Sequence, residues 1–133
     1  MKRIMVDMSA TLIHHGHIRL LKSAKQFGHV IVALTTDQEV REKKGYEPEL
    51  DFNSRCEVLE AIRYVDEVVP CPWLIDTSFL DMHQIDLLVH GSDNTNPISD
   101  DRLMLFPRTS GISSSILRGR VLKSISDIYL NKD

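Results

Sequence analysis

Apolar residues along this chain gather into short continuous runs, and between the runs they recur at helical spacing, a pattern that predicts parallel strands joined by helices. Ile4-Met5-Val6 lies within a first strand predicted over Arg3 to Asp7. Val30-Ile31-Val32-Ala33-Leu34 is rich in β-branched residues and suits a central strand covered on both faces. Between them Leu20, Leu21, Ala24 and Phe27 form one helical stripe, with Gly28 as its expected stop. The unit has β-α-β length.

The alternation continues. Thr36-Asp37-Gln38-Glu39 has capping-box spacing and predicts a short helix through Lys43 and Lys44 to Gly45. A loop over Tyr46 to Leu50 leads to a helix with Phe52, Cys56, Leu59 and Ile62 on one face and Arg55 and Arg63 near its edge. A third strand is expected over Val65 to Val69, closed by Pro70 and Pro72. Cys71 to Ser78 reads as irregular, with Trp73 either packed or stacked near a ligand mouth. A short helix over Phe79 to Gln84 precedes a strand, Leu87-Leu88-Val89, which delivers His90-Gly91-Ser92-Asp93 to the sheet's C-terminal edge. A polar loop, a fifth strand over Leu103 to Phe106 and a helix carrying Ile116, Leu117 and Val121 complete the pattern. One α/β domain over 1–133 is predicted, a doubly wound five-stranded parallel sheet with helices on both faces. Its core spans about 3–123, and 124–133 forms a tail that is a loose helix or frayed end.

Composition narrows the function. The 133 residues are enough to bury a core without staples. Cys56 and Cys71 form no C-x-x-C pair and imply no disulfide framework. Sixteen basic against nineteen acidic residues leave a net charge of −3, which argues against a nucleic-acid partner. No long apolar span or signal-like start is present, so a cytoplasmic protein without membrane insertion is expected.

The chemistry is concentrated where strands hand over to helices, the usual ligand position of open α/β sheets. His14, His15 and His17 surround Gly16 at the first such junction. A helix opening there offers unpartnered N–H groups and positive dipole charge to an anion. Gly16 would admit a phosphate close to the main chain, while His14 and His17 donate hydrogen bonds and, when protonated, add charge. A solvated turn or a metal site are the alternatives, but no carboxylate or cysteine flanks the histidines at ligand spacing. At the last junction, Ser113, Ser114 and Ser115 are ordinary helix caps unless Arg108, Gly111 and exposed N–H groups join them in holding polyphosphate. Dinucleotide and P-loop glycine motifs do not occur.

His14-x-Gly16-His17 resembles the HxGH signature of the nucleotidyltransferase superfamily, whose fold is Rossmann-like. Together with Arg63-Tyr64-Val65-Asp66-Glu67-Val68 and Arg108-Thr109-Ser110-Gly111-Ile112-Ser113-Ser114, it resembles the small cytidylyltransferases that act on glycerol-3-phosphate, choline-phosphate or ethanolamine-phosphate. The Arg-Thr-x-Gly-Ile lead separates this branch from phosphopantetheine-type adenylyltransferases. The resemblance implies that His14 and His17 contact the nucleotide phosphates and that Lys43 or Lys44 helps to neutralise them. It also implies that Arg108, Thr109, Gly111, Ile112, Ser113 and Ser114 cradle the triphosphate. Met8, Ser9, Ala10 and Gly16 would line the nucleotide, Asp93 the base pocket, and Arg63 and Thr11 the acceptor. The lead-in Met8-Ser9-Ala10-Thr11 replaces Gly-Thr-Phe-Asp and is similar to that of cytidylyltransferases of phosphonate and surface-polysaccharide pathways; Thr11 stands where the family has an acidic residue.

The implied reaction moves CMP from CTP to a small phosphorylated or phosphonylated acceptor with release of pyrophosphate, and Mg2+ arrives mainly on the triphosphate. The product would be a CDP- or CMP-activated precursor for surface polysaccharide, phospholipid or phosphonate synthesis. A homodimer joined near Arg63 to Val68 is also implied. The rival readings are an ATP-dependent adenylyltransferase on the same scaffold and a nucleotide-binding module without turnover; a class I tRNA synthetase fragment has no space for tRNA recognition.

Overall fold

A computed structural model describes residues 1–130. Five parallel strands, β1 (Lys2–Met8), β2 (Gly28–Thr35), β3 (Glu67–Cys71), β4 (Leu87–Gly91) and β5 (Leu103–Phe106), form one sheet in the order β3-β2-β1-β4-β5. The helices are α1 (His15–Lys25), α2 (Asp37–Lys44), α3 (Phe52–Glu60), α4 (Thr77–Met82) and α5 (Ser114–Leu130), and a 3-10 turn over Asp100–Arg102 leads into β5. The order reverses between β1 and β4, which leaves a crevice at their C-terminal ends.

The continuous apolar runs are explained by two cores. Ile4, Val6, Val30, Val32 and Val89 point to one face, where Leu21 and Ala24 of α1 and Leu59 of α3 cover them. Met5, Ile31, Ala33 and Leu88 point to the other, against Leu80 of α4 and Ile75 of the loop before it. Alternation along each strand supplies both faces at once. Each fully buried aliphatic side chain contributes roughly 1.5–3 kcal/mol.

Several boundaries differ from the sequence reading. Gly28 does not stop α1, which is capped at Gln26; it opens β2, where a Cβ would stand 2.2 Å from the Lys2 carbonyl oxygen. That close approach requires glycine. Pro70 lies inside β3 rather than ending it, opposite Leu34, because β3 is an edge strand and one side of its backbone needs no partner. The expected tail continues α5 as helix to Leu130, and 131–133 lie outside the described residues. Arg55, expected at a helix edge, is fully buried. It donates to the carbonyls of Ser9 (2.7 Å), Thr35 (2.9 Å) and Leu50 (3.1 Å) and pairs with Asp37 at 2.6 Å. Asp37 in turn accepts the Phe52 N–H, so the pair locks the start of α3 to the ends of β1 and β2.

Candidate functional site

The N-terminus of α1 is built by its own histidines. His14 is the cap residue, and its Nδ1 accepts the Gly16 N–H at 3.0 Å. His17 Nδ1 reaches back to accept the His14 N–H at 3.1 Å. The pair therefore forms a reciprocal capping box made of imidazoles, with ring centroids 4.0 Å apart. With both Nδ1 atoms accepting, the neutral rings carry their protons on Nε2, and both rings line the cavity.

Two expectations are sharpened here. A Cβ on Gly16 would meet the His14 ring at 2.8 Å, so the glycine makes room for the imidazole at the cavity wall. The surroundings of the two histidines disfavour their protonated forms. Burial, aided by His14, Arg108 and Lys44, pushes His17 from 6.5 down to about 4. Burial, His15 and Arg108 lower His14 as well. At neutral pH the pair offers two uncharged donors.

The serine-bearing turn faces this pair. Gly111, at φ +79°, turns the chain into α5. Ser113 Oγ caps the Ile116 N–H at 3.1 Å, and Ser114 Oγ donates to the Leu12 carbonyl at 3.0 Å. Ile112 packs so near α1 that a Cβ on Gly16 would stand 3.5 Å from its Cγ2. Arg108 pairs with Asp93 at 3.3 Å, and Gly91 leaves space for that carboxylate.

These elements enclose a cavity of about 870 Å3 at the crevice between β1 and β4. His14, Gly16, His17, Met8 and Ser9 line it from one side, and Asp93, Arg108, Thr109, Ile112, Ser113 and Ser114 from the other. Lys44 lines it too, with Nζ 3.2 Å from Ser9 Oγ and 5.8 Å from the Trp73 ring centroid. Lys43 instead faces a small separate pocket beside Pro72.

Four other expected residues do not line the cavity. Ala10 is buried with φ +46°, a left-handed conformation in the turn after β1. Gly111 shapes the turn without lining the cavity. Thr11 is fully buried and accepts a hydrogen bond from Arg118. Arg63 is exposed on the turn between α3 and β3.

The structure adds a group the sequence reading did not select. Asp7, at the C-terminal end of β1, accepts from His90 Nδ1 at 2.5 Å through one oxygen and from Asn96 Nδ2 at 2.9 Å through the other. His90 Nε2 lies 3.7 Å from Asp93. Burial acts to lower the His90 pKa, but the Asp7 hydrogen bond and the charges of Asp7 and Asp93 outweigh it, and the net shift is upward. His90 is thus the readily protonated histidine of the cavity, in contrast to the neutral pair. The available signal was positional, since both residues end apolar strands at the ligand-bearing edge of the sheet.

Residues 9–120 match the cytidylyltransferase-like family model. The chain belongs to the cytidylyltransferase-like family. This family member is 35% identical to the glycerol-3-phosphate cytidylyltransferase of Bacillus subtilis, over 91% of its own length and 98% of the relative's. It is 33% identical to the mouse ethanolamine-phosphate cytidylyltransferase over 90% of its length, but spans only 32% of that longer protein. Its fold is similar to a lipopolysaccharide core biosynthesis protein of Thermoplasma volcanium, with a TM-score of 0.62, 21% identity and coverage of 92% and 87% of the two chains. Sheet order, family match and relatives together mark this cytidylyltransferase-family chain as a nucleotidyltransferase of Rossmann-like fold.

Proposed function

We propose that the cavity transfers a cytidylyl group from CTP to a small acceptor bearing a phosphate or phosphonate. The observation that carries this reading is the meeting of the imidazole capping box and the Arg108–Ser114 turn around one cavity, in a chain whose relatives include cytidylyltransferases. An acceptor oxygen attacks the α-phosphorus, its new P–O bond forming as the bond to the bridging oxygen of pyrophosphate breaks. The phosphate or phosphonate is a competent nucleophile at neutral pH, so no general base or covalent enzyme intermediate is required.

The work left to the protein is alignment and charge compensation. His14 and His17 Nε2–H donate to the α-phosphate oxygens as charge builds, and Lys44 and Arg108 offset charge on the leaving pyrophosphate. His90, whose protonated form is favoured by Asp7, is suited to the acceptor's anionic group. Among the described residues no cluster of three metal-ligating side chains occurs, and the Asp7 and Asp93 carboxylates that line the cavity already have hydrogen-bond partners. That donor set fits Mg2+ carried in on the triphosphate, where it would neutralise phosphate charge.

A cytoplasmic homodimer is part of the reading. Among the described residues no helix is long and apolar enough to cross a membrane. Val121, Leu122, Ile125 and Ile128 of α5 are exposed and apolar, which supports burial against a second copy. The deciding assay offers each of the four nucleoside triphosphates with Mg2+ and a panel of phosphorylated polyols, phosphorylated amino alcohols and phosphonates, and follows pyrophosphate. CTP-selective release with one acceptor class is expected. ATP-only release would move the chain to adenylyl transfer, and tight CTP binding without turnover on any acceptor would make it a binding module.

A further inference from the structure

We propose that Glu49 and Arg118 are positioning residues for the transfer reaction, a charged strap holding the Lys44-bearing loop against the histidine and serine turns; this rests on the reading of the cavity given above. Arg118 lies in the second turn of α5 and reaches out of its own helix in two directions. Its Nε and Nη2 face the two oxygens of Glu49, the second contact at 3.2 Å. Nη2 also donates to the buried hydroxyl of Thr11, and the guanidinium carbon sits 4.5 Å from the Tyr46 ring centroid. One fork thereby joins the turn after β1, the loop between α2 and α3, and α5.

An isolated surface ion pair contributes little to stability. This one is only 25% and 32% exposed at its two side chains, is nearly bidentate, and stacks on an aromatic ring. The Arg118 hydrogen bond, against the opposing effect of burial, holds the Glu49 carboxyl below its usual range. Its placement matters more than its strength. Lys44 ends α2 and is followed by Gly45 at φ +78°, whose Cβ direction is open space. Past that glycine the loop is held by Arg55 at the Leu50 carbonyl and by Arg118 at Tyr46 and Glu49. Ser114, on the same helix as Arg118, is tied to the Leu12 carbonyl, so α5 meets the histidine turn at two points. The strap thus links the cavity's lysine to the histidine and serine turns without lining the cavity itself.

Trp73 is the sole tryptophan and lines the cavity, so its fluorescence reports CTP·Mg binding to the full chain. Glu49→Gln is expected to weaken CTP about five- to tenfold, the scale of coupling within one salt-bridge network, with a nearly unchanged urea midpoint. Adding Thr11→Asp should restore affinity to within about twofold, because a carboxylate at residue 11 meets the same Nη2–H. A merely structural pair would lose stability and affinity together and gain nothing from residue 11. Unchanged affinity in Glu49→Gln, or no recovery in a folded double variant, overturns the strap. If the double variant does not fold, exchanging the pair as Glu49→Arg with Arg118→Glu replaces it, and the exchanged chain must bind CTP better than either single change. If the wild-type chain itself does not bind CTP, the nucleotide reading fails, and amide exchange over residues 45–49 decides the strap. Faster exchange in Glu49→Gln upholds it, and equal exchange overturns it.

Discussion

His14 and His17 illustrate how one pair of side chains shapes a helix start and serves its ligand. Each ring spends Nδ1 on the backbone and keeps Nε2–H for the cavity. His17→Ala removes a cap and a donor; by comparison with loss of an oxyanion-hole donor, turnover is expected to fall about 10²–10³-fold in a folded protein. Near-native turnover by steady-state kinetics would take His17 out of the mechanism. Lys44→Ala should raise KM for CTP, while Lys43→Ala, facing another pocket, should leave it near wild type. The same titration by both variants would contradict this division. His90 carries the opposite polarity. Its pKa is raised, so an acceptor site that needs the imidazolium loses kcat/KM as pH rises through that value. Asp7→Asn removes the main upward influence and should shift this limb to lower pH, as a pH profile of acceptor kcat/KM would reveal. The histidine turn, Arg108 and Asp93 were legible because their spacing within short segments carries the chemistry. The Asp7–His90 pair was not, since its partners lie 83 residues apart and only the sheet brings them together.

At the scale of elements, the central strands were easy to read because β1, β2 and β4 are apolar on both faces. The edge was harder. β3 tolerates Pro70 only because one side of it is unpaired, and a linear reading takes the proline for a stop. Arg55 was misplaced for a related reason: a charged residue on an amphipathic helix is assigned to the solvent face unless its partners are visible. Those partners are three carbonyls and Asp37, gathered from the turn after β1, the end of β2, the start of α2 and the loop after it. Truncation to Arg55→Ala strands Asp37 and leaves those carbonyls without their donor. A loss of roughly 3–5 kcal/mol is expected from breaking such a buried pair, and equilibrium urea unfolding measures it.

For the molecule as a whole, the strand order β3-β2-β1-β4-β5 decides where chemistry can occur. The reversal between β1 and β4 separates the loops after them and opens the cavity, and residues from Asp7 to Ser115 contribute to it through that topology. The doubly wound sheet was visible in the alternation of strands and helices. The strap between Glu49 and Arg118 was not, because nothing in the local pattern of α5 distinguishes an arginine that turns back to the body from one that faces solvent.

The uncharged state of the paired imidazoles has a calorimetric signature. Seating a polyanion beside two rings whose basicity is suppressed by burial and by neighbouring cations raises that basicity, so the complex captures hydrogen ions from the medium. Titrations of CTP·Mg in slightly acidic buffers of unequal ionisation heat should yield different apparent enthalpies, and the slope between them should correspond to net uptake. A slope of zero would mean that the rings stay neutral with the nucleotide in place.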